Sequence, residues 1–585
     1  MNFIEFESEQ KLRGGFYTAP AIASFLAKWI KLSEPKSLLE PSCGDGAFIK
    51  AIEEAQISSL TRITACELNE QEADKAASRT SLPVQIQNTD FLRWYLFFGQ
   101  SEEGFDAVVG NPPFIRYQYL PTEQQLLAEK IFGQLNLPFT KHTNAWVPFV
   151  LASIRLLKPG GRLAMVIPSE IFHIPHAQSL RRYLTEQCSK ILILDPEEIW
   201  FGDTLQGTVL LMTEKKRAIS EKGMGVAIIP VKSRQALNDD PEDYFQSAKY
   251  TNGITIEGKW MPVFLSHNER ELLAKLKARD DIKKFADIAS VDVGIVTGAN
   301  KFFLVPDATV EKFALQRWAH PMFGRSDHVK GLVYWDTDHA TNKKIGLPAN
   351  FLWFEEEQID HLPQNVRNYL EIGLNQRLHT RFKCRTRKTW YKVPSVYSAP
   401  VAMLKRAHHY PRLVLNRAEA YTTDTAYRIQ PLGIKSEALV LSFVNSLTCL
   451  TAEMEGRHYG GGVLELVPSE IERLLLPVIQ ATAAELKAAD GRFRSAKSDS
   501  DFLRMQDALI LGKLGISQED QESLHSAWLK LRDRRHRVSS AGVECQVYSA
   551  RGQLNTDSIA PNKITALLDV PCPGPRAKRP QRHAA

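Results

Sequence analysis

Apolar and polar positions follow two different rhythms along this chain. Between about residues 14 and 215, short apolar runs alternate with longer stretches of helical periodicity. The runs include SLLE (37–40), ITACE (63–67), FDAVVG (105–110) and RLAMVIP (162–168), and AIASFLAKWI (21–30) is an example of the helical spacing. This alternation predicts βαβ units and a mostly parallel sheet of Rossmann-like α/β class. Ligands of such sheets collect beyond the carboxyl ends of the strands, so the residues closing each run are where chemistry is expected. After about residue 240 the rhythm weakens. Residues 280–480 mix short strand patterns, aromatic residues and irregular connections, as in an α+β domain. Residues 484–535 read as charged helix, and the Pro-rich, basic segment 561–585 has the composition of a disordered tail. The divisions expected are therefore 1–240, 241–480 and 481–585.

Composition narrows the classes. A chain of 585 residues calls for two or three domains. With 44% hydrophobic and 24% charged residues, it has the balance of a soluble globular protein. The acidic N-terminus MNFIEFESEQ has no apolar leader, and no apolar run approaches the roughly 18 residues of a membrane span. A cytoplasmic protein without membrane contact is expected. The seven cysteines are scattered, with no CxxC pair, which points to free thiols and no metal site. The net charge of +6 is small, but residues 375–417 hold eleven Lys or Arg and no Asp or Glu. Together with Phe382, Trp390, Tyr391 and Tyr397, that run fits a nucleic-acid surface. Arg381, Lys383, Arg385, Arg387 and Lys388 are the candidate DNA contacts.

The strand ends carry the chemistry. In LLEPSCGDGAF (38–48), Glu40 ends a strand, and Gly44 and Gly46 suit a tight turn opening a helix. The turn has neither GxGxxG spacing nor a P-loop GK[ST], which disfavours dinucleotides and nucleoside triphosphates. Glu67 ends the next strand, where a carboxylate can accept from two ribose hydroxyls. In NTDFLRW (88–94), Asp90 can accept from an adenine amine while Phe91 packs on the ring; a helix cap and a core aromatic are the plainer alternatives. Thr18, in GGFYTAP, is placed to bond a carboxylate at a helix start.

The most specific signal is VVGNPPFIRY (108–117), where a strand runs into Asn111-Pro112-Pro113-Phe114. The prolines stiffen the turn. The Asn111 carboxamide oxygen and the Pro112 carbonyl can accept both hydrogens of one amino group, and Phe114 can stack on the ring bearing it. Adenine N6 is a poor nucleophile because its lone pair is delocalised. Two acceptors favour a tetrahedral nitrogen and offset the charge developed on attacking a sulfonium-borne methyl. An amine inside a duplex must first be flipped out. Phe201 is the candidate for the opposite side of the ring, with Trp200 as the alternative.

In these motifs the sequence resembles the N6-adenine DNA methyltransferases of TaqI-type, or gamma, motif order. FYTAP, EPSCGDGAF, ACELN, NTDFL and NPPF occur in that family's order over the first 215 residues. The resemblance implies that Thr18, Glu40, Glu67, Asp90 and Phe91 contact S-adenosylmethionine, with Cys43 and Gly44 near it through the loop. It implies that Asn111, Pro112 and Phe114 form the catalytic turn and that Phe201 stacks on the target base. The family usually has Tyr where this chain has Phe114. Residues 293–305 and 445–477, the latter holding Gly460, Gly461 and Gly462, are similar to parts of a target-recognition domain. The partner expected is double-stranded DNA, in a restriction-modification or related defence system with a separate nuclease. An RNA amino methyltransferase and a non-catalytic DNA-binding protein of the same fold are the competing readings.

Overall fold

A computed structural model describes residues 18–536, apart from 100–102, 199, 201–206, 252–257 and 460. The first half is built on an eight-stranded sheet. Its strands are β1 (Ser37–Glu40), β2 (Arg62–Glu67), β3 (Val84–Asn88), β4 (Phe105–Gly110), β5 (Leu157–Pro168), β6 (Cys188–Pro196), β7 (Thr208–Lys215) and β8 (Gly225–Val231). Their order is β3-β2-β1-β4-β5-β7-β6-β8. Only β7 runs antiparallel to its neighbours, β5 and β6. This is the arrangement of the class I S-adenosylmethionine-dependent methyltransferases, with β8 added at one edge.

Helices cover both faces, and strand residues alternate between them as the period-two rule requires. Leu38, Ala107, Val109, Ala164 and Val166 face α1 (Pro20–Lys31) and α2 (Ala47–Ala55). Leu39, Val108, Leu163 and Met165 face α4 (Phe91–Phe97), α5 (Thr122–Gln134), α6 (Trp146–Leu156) and α7 (Gln178–Gln187). On the connection between β2 and β3 lies α3 (Glu70–Ser78), capped by the Asn69 side chain. Pro20 starts α1 at a position where its missing N–H costs nothing.

The sheet order reverses between β1 and β4. Leu38 and Leu39 of β1 pair in parallel with Ala107 and Val108 of β4, so both strands deliver their last residues to one crevice.

The second half contains a five-stranded sheet of β9 (Ala289–Val293), β10 (Val333–Tyr334), β11 (Val401–Leu404), β12 (Leu413–Asn416) and β13 (Ala426–Pro431), in the order β9-β13-β11-β12-β10. Helix α8 (Ser446–Glu455) follows it. The charged stretch beyond residue 481 forms α9 (Ala483–Ser495), α10 (Asp499–Ile510) and α11 (Gln518–Arg535). These helices share one apolar core with the second sheet and with one face of the first.

The last turn of α11 reaches both halves. Arg534 chelates Asp195 at the end of β6, with Nε–Oδ2 2.8 Å and Nη2–Oδ1 3.3 Å, and lies over the rings of both Phe172 and Phe264. Next to it, Arg535 is fully buried against Glu453 of α8.

Candidate active site

The crevice between β1 and β4 gathers most of the motif residues. Glu40 closes β1 and is 1% exposed, and its Oε2 is buried without a hydrogen-bond partner among the described residues. Burial, then the neighbouring carboxylates Glu67 and Asp45, push its carboxyl well above the usual range. Such a group calls for donors or a positive charge beyond the described residues, because an unmatched buried carboxylate otherwise costs stability.

After Glu40 the chain turns over Cys43, Gly44 and Gly46. Gly46 has φ +86°, and a Cβ there would stand 2.9 Å from the Ala76 Cα, so only glycine lets the turn lie this close to α3. Cys43 is buried, and burial followed by Glu40 and Glu67 drives its thiol up, leaving it an uncharged lining group. Glu67, at the end of β2, accepts from Gly44 N at 2.9 Å through Oε2 and from Asn69 N at 2.8 Å through Oε1. A carboxylate has about four acceptor directions, so two backbone bonds fix it and leave capacity for a ligand. Leu68, immediately after, is 61% exposed beside this acid.

Asp90 has both oxygens occupied. Oδ1 caps α4 through Leu92 N and Arg93 N, and Oδ2 accepts from Gln124 Nε2 at 2.9 Å. Phe91 is buried in the core against Phe149, 5.1 Å between ring centroids.

The catalytic turn leaves β4 directly. Pro112 is buried, and Asn111, Pro113 and Phe114 are half-buried. Two hydroxyls grip Asn111: Ser42 Oγ donates to its backbone carbonyl at 3.1 Å, and its Nδ2 donates to Thr18 Oγ1 at 3.2 Å. With its nitrogen end on Thr18, the carboxamide is oriented rather than free to flip. Ala145 N donates to the Ile115 carbonyl at 2.9 Å and ties the exit of the turn to the start of α6. Beside that tie, Asn144 Nδ2 donates to Glu170 Oε2 at 2.9 Å. Burial raises the Glu170 carboxyl, while the Arg116 charge works against the rise.

Ser42, Leu68, Asn144 and Glu170 are neighbours that motif reading did not single out. Ser42 lies inside the Gly loop itself, and Glu170 follows the end of β5, so the strand-end rule pointed to both. Phe201 lies outside the described residues. Trp200 is buried among the apolar side chains packed on α1 and α2. Gly461 and Gly462 have φ of +76° and +73°.

Two family profiles match the chain: the Eco57I restriction-modification methylase over residues 24–200, and the C-terminal domain of the Type II methyltransferase M.Eco57I over residues 257–511. The protein is a methyltransferase. Among curated relatives it is 24% identical to the Type II methyltransferase M.AccI of Acinetobacter calcoaceticus, over 78% of this chain and 84% of that one. It is 21% identical to M.XamI of Xanthomonas campestris pv. amaranthicola, over 80% and 85%. Among solved structures, the Type IIL restriction-modification enzyme MmeI in complex with DNA aligns with a TM-score of 0.53 and 13% identity, over 88% of this chain and 71% of that one. The methyltransferase takes S-adenosylmethionine as its cofactor. The open Glu40 oxygen, the glycine turn, Glu67 and the apolar Leu68 fit a group bearing an ammonium, a ribose and a purine.

The basic run divides in two. Lys388 and Lys392 bind Glu357, Lys405 and Arg406 bind Glu465, and Arg417 binds Glu437. Arg387 donates to the carbonyls of Val296 and Thr297 at 2.7 and 2.8 Å, and Arg412 to that of Val329 at 2.8 Å. Arg377, Arg381, Lys383 and Arg385 are the remainder. They cluster on consecutive turns around Phe382, and all but the half-buried Lys383 are exposed.

Proposed function

We propose that the protein is a site-specific DNA methyltransferase acting on the N6 amine of an adenine turned out of the duplex, within a restriction-modification setting served by a separate nuclease. The observation that carries this reading is the Asn111–Pro112–Pro113–Phe114 turn, held by Thr18 and Ser42 beside the Glu40 crevice.

S-adenosylmethionine supplies an electrophilic methyl on a sulfonium. Glu40 and Glu67 hold its cationic and ribose parts, and Leu68 offers an apolar face to its purine. The Asn111 carboxamide oxygen and the Pro112 carbonyl accept the two hydrogens of the adenine amine. The nitrogen lone pair is thereby freed from the ring, and the positive charge that grows during transfer is stabilised. Phe114 stacks on the ring and adds cation–π stabilisation of about 0.5–2 kcal/mol at the transferring methyl. Buried Pro112 and the two hydroxyl contacts fix these acceptors before substrate arrives, and much of the rate advantage comes from this prior placement. The proposed parts are residues 1–240 for methyl transfer, 241–480 for target recognition and 481–585 as a helical extension. The likeness to restriction-modification methylases supports DNA as the substrate, and the motif order supports adenine N6.

The test is to incubate the purified protein with methyl-tritiated S-adenosylmethionine and plasmid DNA, then digest to nucleosides. N6-methyladenine is the expected labelled product. Label in N4-methylcytosine, transfer only to an RNA substrate, or no transfer to either overturns the proposal.

A further inference from the structure

Phe382 is 63% exposed, as are other large apolar side chains of this surface, and its neighbours are what set it apart. Its surroundings are fixed. The short helix Phe382–Arg385 is anchored by Cys384, which is fully buried, with Sγ 3.8 Å from the Thr297 carbonyl. Two residues on, Arg387 clamps the carbonyls of Val296 and Thr297. On the same side, Gly298 leaves no room between the backbone and Lys383, because a Cβ on it would fall 2.8 Å from the Lys383 Cβ. The chain thus builds a stiff platform and stands one apolar ring on it, facing out.

Cations flank the ring. Lys383 Nζ and the Arg385 guanidinium carbon lie 5.7 and 5.6 Å from its centroid, and Arg381 is exposed one residue before it. No acid occurs in the sequence between residues 375 and 417, and the acids that neutralise the rest of the run engage other cations. The complementary surface is therefore polyanionic and offers a flat apolar slot. A base step of a nucleic-acid duplex meets both conditions, with phosphates on either side of stacked rings.

We infer that Phe382 is a wedge that enters a base step of duplex DNA, with Arg381, Lys383 and Arg385 on the flanking phosphates. This rests on the reading of DNA as substrate. Insertion partly unstacks the step and unwinds the duplex, and that lowers the cost of turning a neighbouring base outward.

The test uses the full chain, a nicked plasmid and DNA ligase. Closing the nick with saturating wild-type protein present should shift the topoisomer distribution, which reports unwinding at whatever sequence is bound. F382A should abolish the shift, bind a 30-base-pair duplex about 5- to 100-fold more weakly, and leave the slope of binding against salt unchanged. F382W should retain the shift. R381A/R385A should lower the salt slope by about 2. All variants should melt with the wild type, since the ring is exposed. No shift with wild-type protein, or an equal shift with F382A at saturation, overturns the wedge. If the wild type methylates plasmid DNA while F382A unwinds normally, only the wedge falls. If the wild type neither binds nor methylates DNA, the functional reading falls with it.

Discussion

Replacing Arg535 by leucine should destabilise the whole enzyme, and the size of the effect follows from its contacts. Arg535 and Glu453 are both fully buried. Nη2 meets Oε1 at 2.6 Å and Nε meets Oε2 at 2.9 Å. The remaining donors serve the carbonyls of His408 at 2.6 Å, His409 at 3.0 Å and Gly462. Burial alone would raise the Glu453 carboxyl, but the Arg535 charge and a bond from His458 outweigh it and hold it down to about 2. Removing the guanidinium strands a carboxylate in the core, which costs about 3–5 kcal/mol. Unfolding entropy grows with size, so in a cooperative unit of roughly 500 residues each kcal/mol moves Tm by about 1 °C, and Tm should fall by about 3–5 °C. Scanning calorimetry of wild type, R535L, E453L and the double variant forms the assay. The double variant should recover much of the loss, because replacing both members of a buried pair is often nearly neutral. The sign with pH is also fixed. Glu453 lies below its ordinary 4.5 in the folded state, so its contribution is present above pH 4.5 and drains away as pH falls toward 2. The gap between wild type and R535L should therefore narrow in acid. An R535L enzyme melting within a degree of wild type, or a double variant as unstable as E453L alone, would refute the reasoning.

Four further expectations concern the site and the basic surface. Asn111→Ala should cut methyl transfer by about 100-fold or more while leaving S-adenosylmethionine affinity nearly unchanged in equilibrium dialysis; turnover within a few-fold of wild type contradicts the assignment. Thr18→Val removes the hydroxyl that orients the Asn111 amide, so kcat should fall and Thr18→Ser should restore it; a valine variant with normal kcat shows the amide is held otherwise. Glu40→Gln should weaken cofactor binding yet raise the melting temperature of the free enzyme at neutral pH. A carboxyl whose folded pKa is raised is most favourable below its ordinary range and loses that advantage as pH climbs, so the neutral amide escapes a penalty; a destabilised free variant argues against it. Phe382→Ala, described above, should separate duplex unwinding from thermal stability.

Much of the crevice could be read in the sequence because strand ends announce themselves. SLLE, ITACE and FDAVVG are β1, most of β2 and β4, and the acids and the Asn-Pro-Pro turn close them. Strand β3 was harder to see. VQIQN lies at an edge with β2 as its one strand neighbour, and its half-buried pattern gives no continuous apolar run. At Asp90 the helix cap was legible as the plainer alternative, but the partner of its other oxygen, Gln124, lies 34 residues away in the chain and leaves no local mark. The basic run misled most. Its lack of local acids suggested an open cationic face, but Glu357, Glu437 and Glu465 arrive from elsewhere in the fold and neutralise Lys388, Lys392, Arg417, Lys405 and Arg406. Charge partners distant in sequence leave no local trace.

The Arg534–Asp195 chelate joins groups 339 positions apart. Translation exposes Asp195 long before Arg534 leaves the ribosome, so the buried end of β6 must wait for its counter-charge until α11 has been made. A nascent chain already holding every motif of the crevice still lacks the bolt that seats one half against the other. Modifying activity should then emerge late in synthesis, when the second half of the chain is already in hand.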